Sequence, residues 1–315
     1  MNKTSIFIFL IFFPYPLLGM EEAVTDAEIV LIDDTHKVVS NQVQQFADQI
    51  DGFFGNERAL EEANRTQLLV GIGAQSNAKG NLSQSPRLSL RLHLPRTSHR
   101  WRLLIESSRD SGEAGLTDDT ALDAGNSLLN SLDPTFFSTA FQYVITSTND
   151  WHADAKVGVA YHGYIDPFVR ARVRRLFPLL TFNVRIAQTA NFFIVDKLGE
   201  TTSLDIDRKI LDDYFFRASS VAEWRQEINY FELSQTFSVQ HVLSNNVAVS
   251  HLIGAFAVTE PHIHVDYYLA QVRMRWRIYK RWTYFELRPE LRLPAEQHYD
   301  IEPLLTATIE VVFGQ

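Results

Sequence analysis

The sequence predicts an all-β protein: an antiparallel transmembrane β-barrel of about 14 strands, preceded by a short N-terminal periplasmic helical segment. Three observations lead there. After Arg65 the chain alternates apolar and polar side chains over segments of about ten residues, longer than the ~5–6 usual in soluble strands and matched to the ~9–11 that cross a bilayer. Every second connection is short. Trp and Phe gather near both sets of segment ends, where interfacial rings belong.

The clearest segment runs from Leu269 to Leu293. In its first half Ala270, Val272, Met274, Trp276 and Ile278 share one face, and Gln271, Arg273, Arg275 and Arg277 share the other. In its second half Phe285, Leu287, Leu291 and Leu293 oppose Glu286, Arg288, Glu290 and Arg292. A two-residue turn at Lys280-Arg281 pairs Trp276 with Phe285 and Met274 with Leu287 on the apolar face. It sets Arg275 opposite Glu286 and Gln271 opposite Glu290 on the polar face. A soluble sandwich also alternates in this way, and strand length decides for the membrane.

At the N-terminus, Lys3, the apolar run Ile6 to Phe13 and the small Gly19 have the pattern of a secretory signal peptide over residues 1–20. The run is short for a ~20-residue membrane anchor. Residues 21–64 follow as a periplasmic segment. Residues 1–65 hold four Lys+Arg against eleven Asp+Glu, and the remainder 25 against 27, so the barrel is charge-rich yet nearly neutral. Val39, Val43, Phe46, Ile50, Phe53 and Phe54 recur at roughly helical spacing, interrupted by Gly52 and Gly55. This short amphipathic helix is expected to be a simple lead-in; lying at the barrel mouth, plugging it and touching a partner stay open as alternatives.

The barrel occupies residues 65–315, with strands at about 66–75, 86–95, 100–106, 135–146, 151–162, 166–177, 181–195, 201–210, 213–225, 228–243, 246–259, 262–279, 282–294 and 303–313. Connections at Arg96–Ser98, Thr148–Asp150, Pro178–Leu180, Leu211–Asp213, Ser244–Asn246 and Lys280–Arg281 are short; the alternate set includes Ser76–Ser85 and the acidic Arg109–Asp133. Short periplasmic turns and longer external loops are the barrel rule, and an even strand count then leaves both termini periplasmic. Trp101, Trp151, Phe177, Phe182, Phe215 and Trp282 mark one expected aromatic ring, and Phe192, Phe193, Trp224, Tyr230 and Phe231 the other.

Composition excludes several classes. Hydrophobic residues make up 45% of the chain, mean hydropathy is -0.12, and no apolar run after the leader reaches a helical span, which excludes a helical membrane protein. There is no cysteine, hence no disulfide, lipoprotein anchor or thiolate metal site. A net charge of -9 argues against nucleic acid as a partner.

The terminal strand places Leu305, Ala307, Ile309, Val311 and Phe313 on one face. It resembles the C-terminal assembly signal of Gram-negative outer-membrane proteins, with Phe313 in the aromatic place and Gly314-Gln315 as a departure. Phe53-Phe54-Gly55-Asn56-Glu57, Leu204-Asp205-Ile206-Asp207-Arg208, Leu287-Arg288-Pro289-Glu290-Leu291 and Ile309-Glu310-Val311-Val312-Phe313-Gly314 resemble a group of proteobacterial outer-membrane β-barrel proteins, over nearly the whole mature chain. The resemblance implies fold and location in the cell outer membrane, and brings no activity and no cofactor. Its implied partners are outer-membrane lipid and, during export, periplasmic chaperones and the barrel-assembly machinery. The oligomeric state stays open.

The polar faces concentrate arginine. Arg87 and Arg91, Arg100 and Arg102, Arg170, Arg172 and Arg174, Arg273, Arg275 and Arg277, and Arg288 and Arg292 stand with Asp205, Asp207, Glu286, Glu290 and Glu310. Salt-bridge ladders fill the lumen on the structural reading, because buried charges must be paired. A basic constriction in a water-filled lumen is the functional one. The expected role is a passive channel for small solutes, anions favoured. A non-conducting structural or interaction barrel is the alternative, followed by an outer-membrane lipid hydrolase. No catalytic constellation stands out, since Ser250 and His251 are adjacent and face opposite sides of a strand. Glu260, His262, His264 and Asp266 share a face and are expected to be surface groups, with no metal or cofactor assigned.

Overall fold

A computed structural model describes residue 45 and residues 53–54, 66–93, 100–108, 136–148, 150–161, 163–179, 181–211, 213–280 and 282–314. The expected leader (1–20), nearly all of the segment 21–64 and the acidic stretch 109–133 lie outside the described residues.

The strands are β1 (Gln67–Asn77), β2 (Leu82–His93), β3 (Trp101–Ser108), β4 (Phe136–Ser147), β5 (Trp151–Tyr161), β6 (Ile165–Pro178) and β7 (Asn183–Phe193). The second half follows with β8 (Lys197–Leu211), β9 (Tyr214–Arg225), β10 (Phe231–Ser244), β11 (Val247–Val258), β12 (His264–Tyr279), β13 (Thr283–Pro294) and β14 (Glu302–Phe313). Each pairs antiparallel with its neighbours in sequence, and β14 pairs with β1 to close a barrel of fourteen strands. Closure leaves no open edge, which a lipid environment demands because it offers no partner to a bare backbone group.

Burial runs opposite to that of a soluble protein. Ile253, Leu305 and Ile309 are 59%, 46% and 47% exposed on the outer face. Arg172, Arg275 and Arg292 are fully buried inside. Along β6 the alternation is complete: Asp166, Phe168, Arg170, Arg172 and Arg174 are buried while Pro167, Val169, Ala171 and Val173 are exposed. An apolar exterior over a polar interior is the pattern of a membrane-spanning barrel and excludes the sandwich.

The expected hairpin register holds: Trp276 faces Phe285, Met274 faces Leu287, Arg275 faces Glu286 and Gln271 faces Glu290. Its turn does not. The last pair is Tyr279 with Thr283, so three residues connect the strands, and a bulge between Arg277 and Tyr279 restores the predicted pairing. Lys280 sits at φ 45°, the left-handed conformation that bends the chain into this longer turn.

The expected loop Ser76–Ser85 is also shorter. β1 and β2 extend to Asn77 and Leu82, and the Asn77 side chain accepts the amides of Lys79 and Asn81 at 3.1 and 3.0 Å. Gly80 at φ 77° completes that turn. At the chain's end Gly314 at φ 90° follows Phe313, and a Cβ there would lie 2.2 Å from the Thr66 carbonyl oxygen. The two termini of the barrel are thus wedged together at one end.

The expected aromatic rings need two corrections. Phe215 is fully buried, and Phe193 is buried against Phe168, Ala140 and Ala160. Both share parity with inward polar residues of their strands, as Phe215 does with Arg217 and Ser219. Trp101, Trp151 and Trp282 are exposed on the outside, as are Phe192 and Phe231.

Candidate functional site: an arginine-rich lumen

The inward rows of the strands bring the predicted charges into one interior. On the β12–β14 side Arg273, Arg275 and Arg277 project from β12, Glu286, Arg288, Glu290 and Arg292 from β13, and Glu310 from β14. Glu286 forms an ion pair with Arg273, Nε at 2.8 Å, and accepts a hydrogen bond from Arg275 Nη1 at 3.1 Å. Arg275 Nη2 continues to Glu310 at 2.6 Å, and Arg292 pairs with Glu290 beside it on the same strand. Arg275 therefore spends its two terminal nitrogens on two carboxylates, a use that needs the guanidinium fork.

Glu310 then reaches across the barrel seam. Its other oxygen stands 3.6 Å from Arg87 Nη1 on β2, although β1 lies between them. The registered β1 residue facing both is Gly71. A Cβ there would sit 3.1 Å from the Glu310 side chain, so the missing side chain makes room for the pair.

On β8 and β9, Asp207 and Arg217 are registered partners and bond twice, at 2.7 and 3.2 Å. One rung away Ser219 donates to Asp205 at 2.6 Å. At the far end of the strands Arg225 meets Glu232 at 2.7 Å and Glu223 at 3.4 Å. The wall from β8 to β14 thus alternates its signs.

The wall from β2 to β7 does not. Arg87, Arg91, Arg102, Lys156, Arg170, Arg172, Arg174 and Arg185 project from it against Glu106, Asp154 and Asp166, an excess of five cations. Arg91 lies 3.8 Å from Glu106. Across β5 and β6, Lys156 faces Arg170 and Asp154 faces Arg172. Asp166 is held by backbone instead, accepting the amides of Val195 and Asp196 at 3.0 and 3.1 Å.

Each predicted lumen position stands on the inward row of its strand. Arg91, Arg170, Arg172, Arg174, Arg275, Glu286, Glu290 and Arg292 are buried; Arg87, Arg273, Arg277 and Arg288 are half-buried or partly open. Arg100 departs, lying exposed before β3 with Nη1 3.5 Å from the Tyr143 hydroxyl. Asp154, Lys156, Arg185 and Arg217 escaped the sequence reading, yet His152, Asp154 and Lys156 alternate with Trp151, Ala153 and Ala155 and were legible by period. Ser250 is buried inward and His251 exposed outward, so they cannot pair. His264 Nδ1 lies 2.8 Å from the His262 carbonyl oxygen, and no group of three or more His, Asp or Glu among the described residues is arranged to hold a metal ion.

No protein-family model and no curated protein sequence matches the chain. Solved structures do resemble it. The CymD monoaromatic hydrocarbon channel superposes over 84% of this chain and 93% of its own, with a TM-score of 0.51 and 8% identity. A loop-deleted OmpT, an outer membrane protein of Vibrio cholerae, covers 79% of this chain and 98% of its own at a TM-score of 0.48 and 8% identity. A bacterial polysaccharide outer membrane secretin covers 80% and 99% at a TM-score of 0.47 and 12% identity. At 8% identity the likeness to the first is one of fold, and the fold it shares is a closed antiparallel membrane barrel.

Proposed function

We propose that the protein spans a bacterial outer membrane and forms a passive channel for small solutes, with anions favoured. One observation carries the reading: the five-cation excess on the inward wall from β2 to β7, facing a β8–β14 wall whose charges largely neutralise one another. A lumen lined in this way lowers the energy of an anion more than that of a cation. Connections at 148–150, 179–182, 212–213, 245–246 and 280–282 are all short and share the end where β1 begins and β14 finishes. That end is periplasmic under the barrel rule.

A second reading is favoured by the complete burial of Arg172, Arg275 and Arg292. A lumen in which guanidiniums are sealed from water conducts nothing, and the barrel is then a structural or interaction protein. Planar-bilayer recording of the full chain under a salt gradient separates the two. Current with a reversal potential of anion sign supports the channel. Silence, both from the full chain and from a chain beginning at residue 64, removes it. The location is tested by fractionation: the protein is expected with the outer membrane, with a mobility shift on boiling in detergent. A soluble pool without that shift would sink the location.

A further inference from the structure

Two aromatic residues that belong to no strand occupy the barrel's interior. Phe53 and Phe54 are helical and 9% and 2% exposed. They pack on Phe215, Ala248 and Val242. Phe53 meets Tyr284 edge to face, centroids 6.0 Å apart, and Phe54 meets Phe53 in the same manner at 6.0 Å. Phe215, Ala248 and Tyr284 each stand second in β9, β11 and β13, so the pocket lies at the terminal, short-turn end of the lumen.

Cations cover both rings. The Arg273 guanidinium lies 5.0 Å from the Phe54 centroid and that of Arg277 lies 5.5 Å from Phe53. Arg273 Nη2 also donates to the Phe54 carbonyl at 2.8 Å, while its Nε is held by Glu286 at 2.8 Å. Arg277 Nη1 is steadied by the Asn245 carbonyl at 2.9 Å. The expected lead-in therefore carries a pair of rings seated in a built cage.

The chemistry of that cage is more selective than a plug requires. An apolar floor alone would accept any aliphatic group. Guanidiniums set over ring faces favour aromatic ones. The guanidinium donor aimed at a carbonyl oxygen would bind a carboxylate oxygen more strongly, because the acceptor then carries the opposite charge. Among the described residues of β12, β13 and β14, Arg273, Arg275, Arg277 and Arg288 share this end of the lumen with Glu286 and Glu310, so cationic groups outnumber carboxylates there.

We propose that this cage is a binding site for an aromatic carboxylate, and that Phe53-Phe54 is the chain's own occupant, displaced when such a solute arrives. The binding stands on the cage alone; that displacement opens the lumen rests on the channel reading above.

The test uses the full chain in detergent with phenylacetate as probe and cyclohexylacetate, of similar size and charge without a π face, as comparator. Equilibrium binding is expected to favour phenylacetate. Phe53→Ala/Phe54→Ala, which removes the internal competitor, is expected to bind it at least about tenfold more tightly than the wild type. Adding Arg273→Gln to that variant is expected to weaken binding by at least about tenfold. The milder Phe54→Leu keeps most of the volume, and is expected to fall between wild type and double variant if the latter fails to show the folded, heat-shiftable form. Equal affinity for the two acids would overturn the site, as would no binding by a folded emptied variant. Binding of phenylacetate with no change in a measurable bilayer current would uphold the site and overturn the opening of the lumen by displacement, while silence throughout would overturn the channel reading instead.

Discussion

Arg275 and Glu310 meet at 2.6 Å inside the barrel although they stand on β12 and β14, with β13 between them. The same guanidinium takes Glu286 at 3.1 Å on the intervening strand, and Glu286 in turn takes Arg273 at 2.8 Å. Glu286 is thus shared by two guanidiniums, Arg275 fully buried and Arg273 16% exposed. Glu286→Gln removes the shared charge from both Arg273 and Arg275, while Arg275 keeps Glu310. In a dry interior, breaking such a network by removing one partner is expected to destabilise by about 3 kcal/mol. Denaturant titration of the heat-shiftable form reads this directly. A loss of only about 0–1 kcal/mol accompanied by a shift of conductance toward anions would mean that water fills the lumen. No change in either would show that the drawn inward face of β13 is wrong.

The seam makes a second prediction. Gly71 stands between Glu310 and Arg87 as registered partner of both, and a Cβ would lie 3.1 Å from the Glu310 side chain. Gly71→Val is expected to push that carboxylate aside and cost about 1–3 kcal/mol, the usual range for overpacking. Arg87→Met is expected to cost only about 0–1 kcal/mol, since the Arg87 side chain is 36% exposed and its pairing is screened. Equal losses from the two changes would assign the seam's stability to the ion pair and not to the space that glycine leaves.

The β12–β13 hairpin shows what the sequence contains and what it lacks. Its register was legible because period two fixes which residues share a face, and opposite charges at Arg275 and Glu286 agree with the apolar pair Trp276–Phe285. The turn was not legible. One extra connecting residue, Trp282, and one bulged residue before Tyr279 cancel, and alternation alone cannot see two changes that sum to nothing. Phe215 was misplaced because nearness to a strand end outweighed its parity with Arg217, which was the better guide. The cage around Phe53-Phe54 was out of reach: Arg273 and Phe54 are 219 residues apart, and no periodicity joins a helix to a distant strand.

Outside the membrane span, Tyr164 in the β5–β6 connection donates a short hydrogen bond to Asp196 beyond β7. Burial, that bond and the charges of Asp196, Asp166 and Glu227 hold its phenol above the ordinary tyrosine range. A phenol raised in the folded state retains its proton where the unfolded chain would release it. Its contribution is therefore complete below about pH 10 and lost as pH rises beyond it. Ultraviolet difference titration is expected to show one tyrosine ionising later than the exposed ones, and Asp196→Asn is expected to bring it back toward them. An unchanged titration in the variant would mean that the bond to Asp196 does not set the shift.

Phe313 closes the chain's last strand on the outer face, 51% exposed and stacked on Trp282 with centroids 6.2 Å apart and planes 18° from parallel. The Val312 amide donates to the Trp282 carbonyl at 2.8 Å, so strand end and turn are joined by backbone as well. Both rings lie at the terminal end of the barrel, where an aromatic girdle meets the headgroups. Phe313→Asp places a charge there and not at the midplane, where the penalty would be larger; near the interface it is about 0–1 kcal/mol. A folded barrel carrying the change should therefore unfold at nearly the wild-type denaturant concentration once refolded in detergent. If Phe313 is also the residue by which the chain is received for assembly, its loss acts before folding. The amount of protein reaching the outer membrane in cells is then expected to fall severalfold while the refolded variant stays stable. Normal levels in the outer membrane would show that Phe313 is not the signal, and a large stability loss in detergent would show that its stacking on Trp282 matters more than its exposed position suggests.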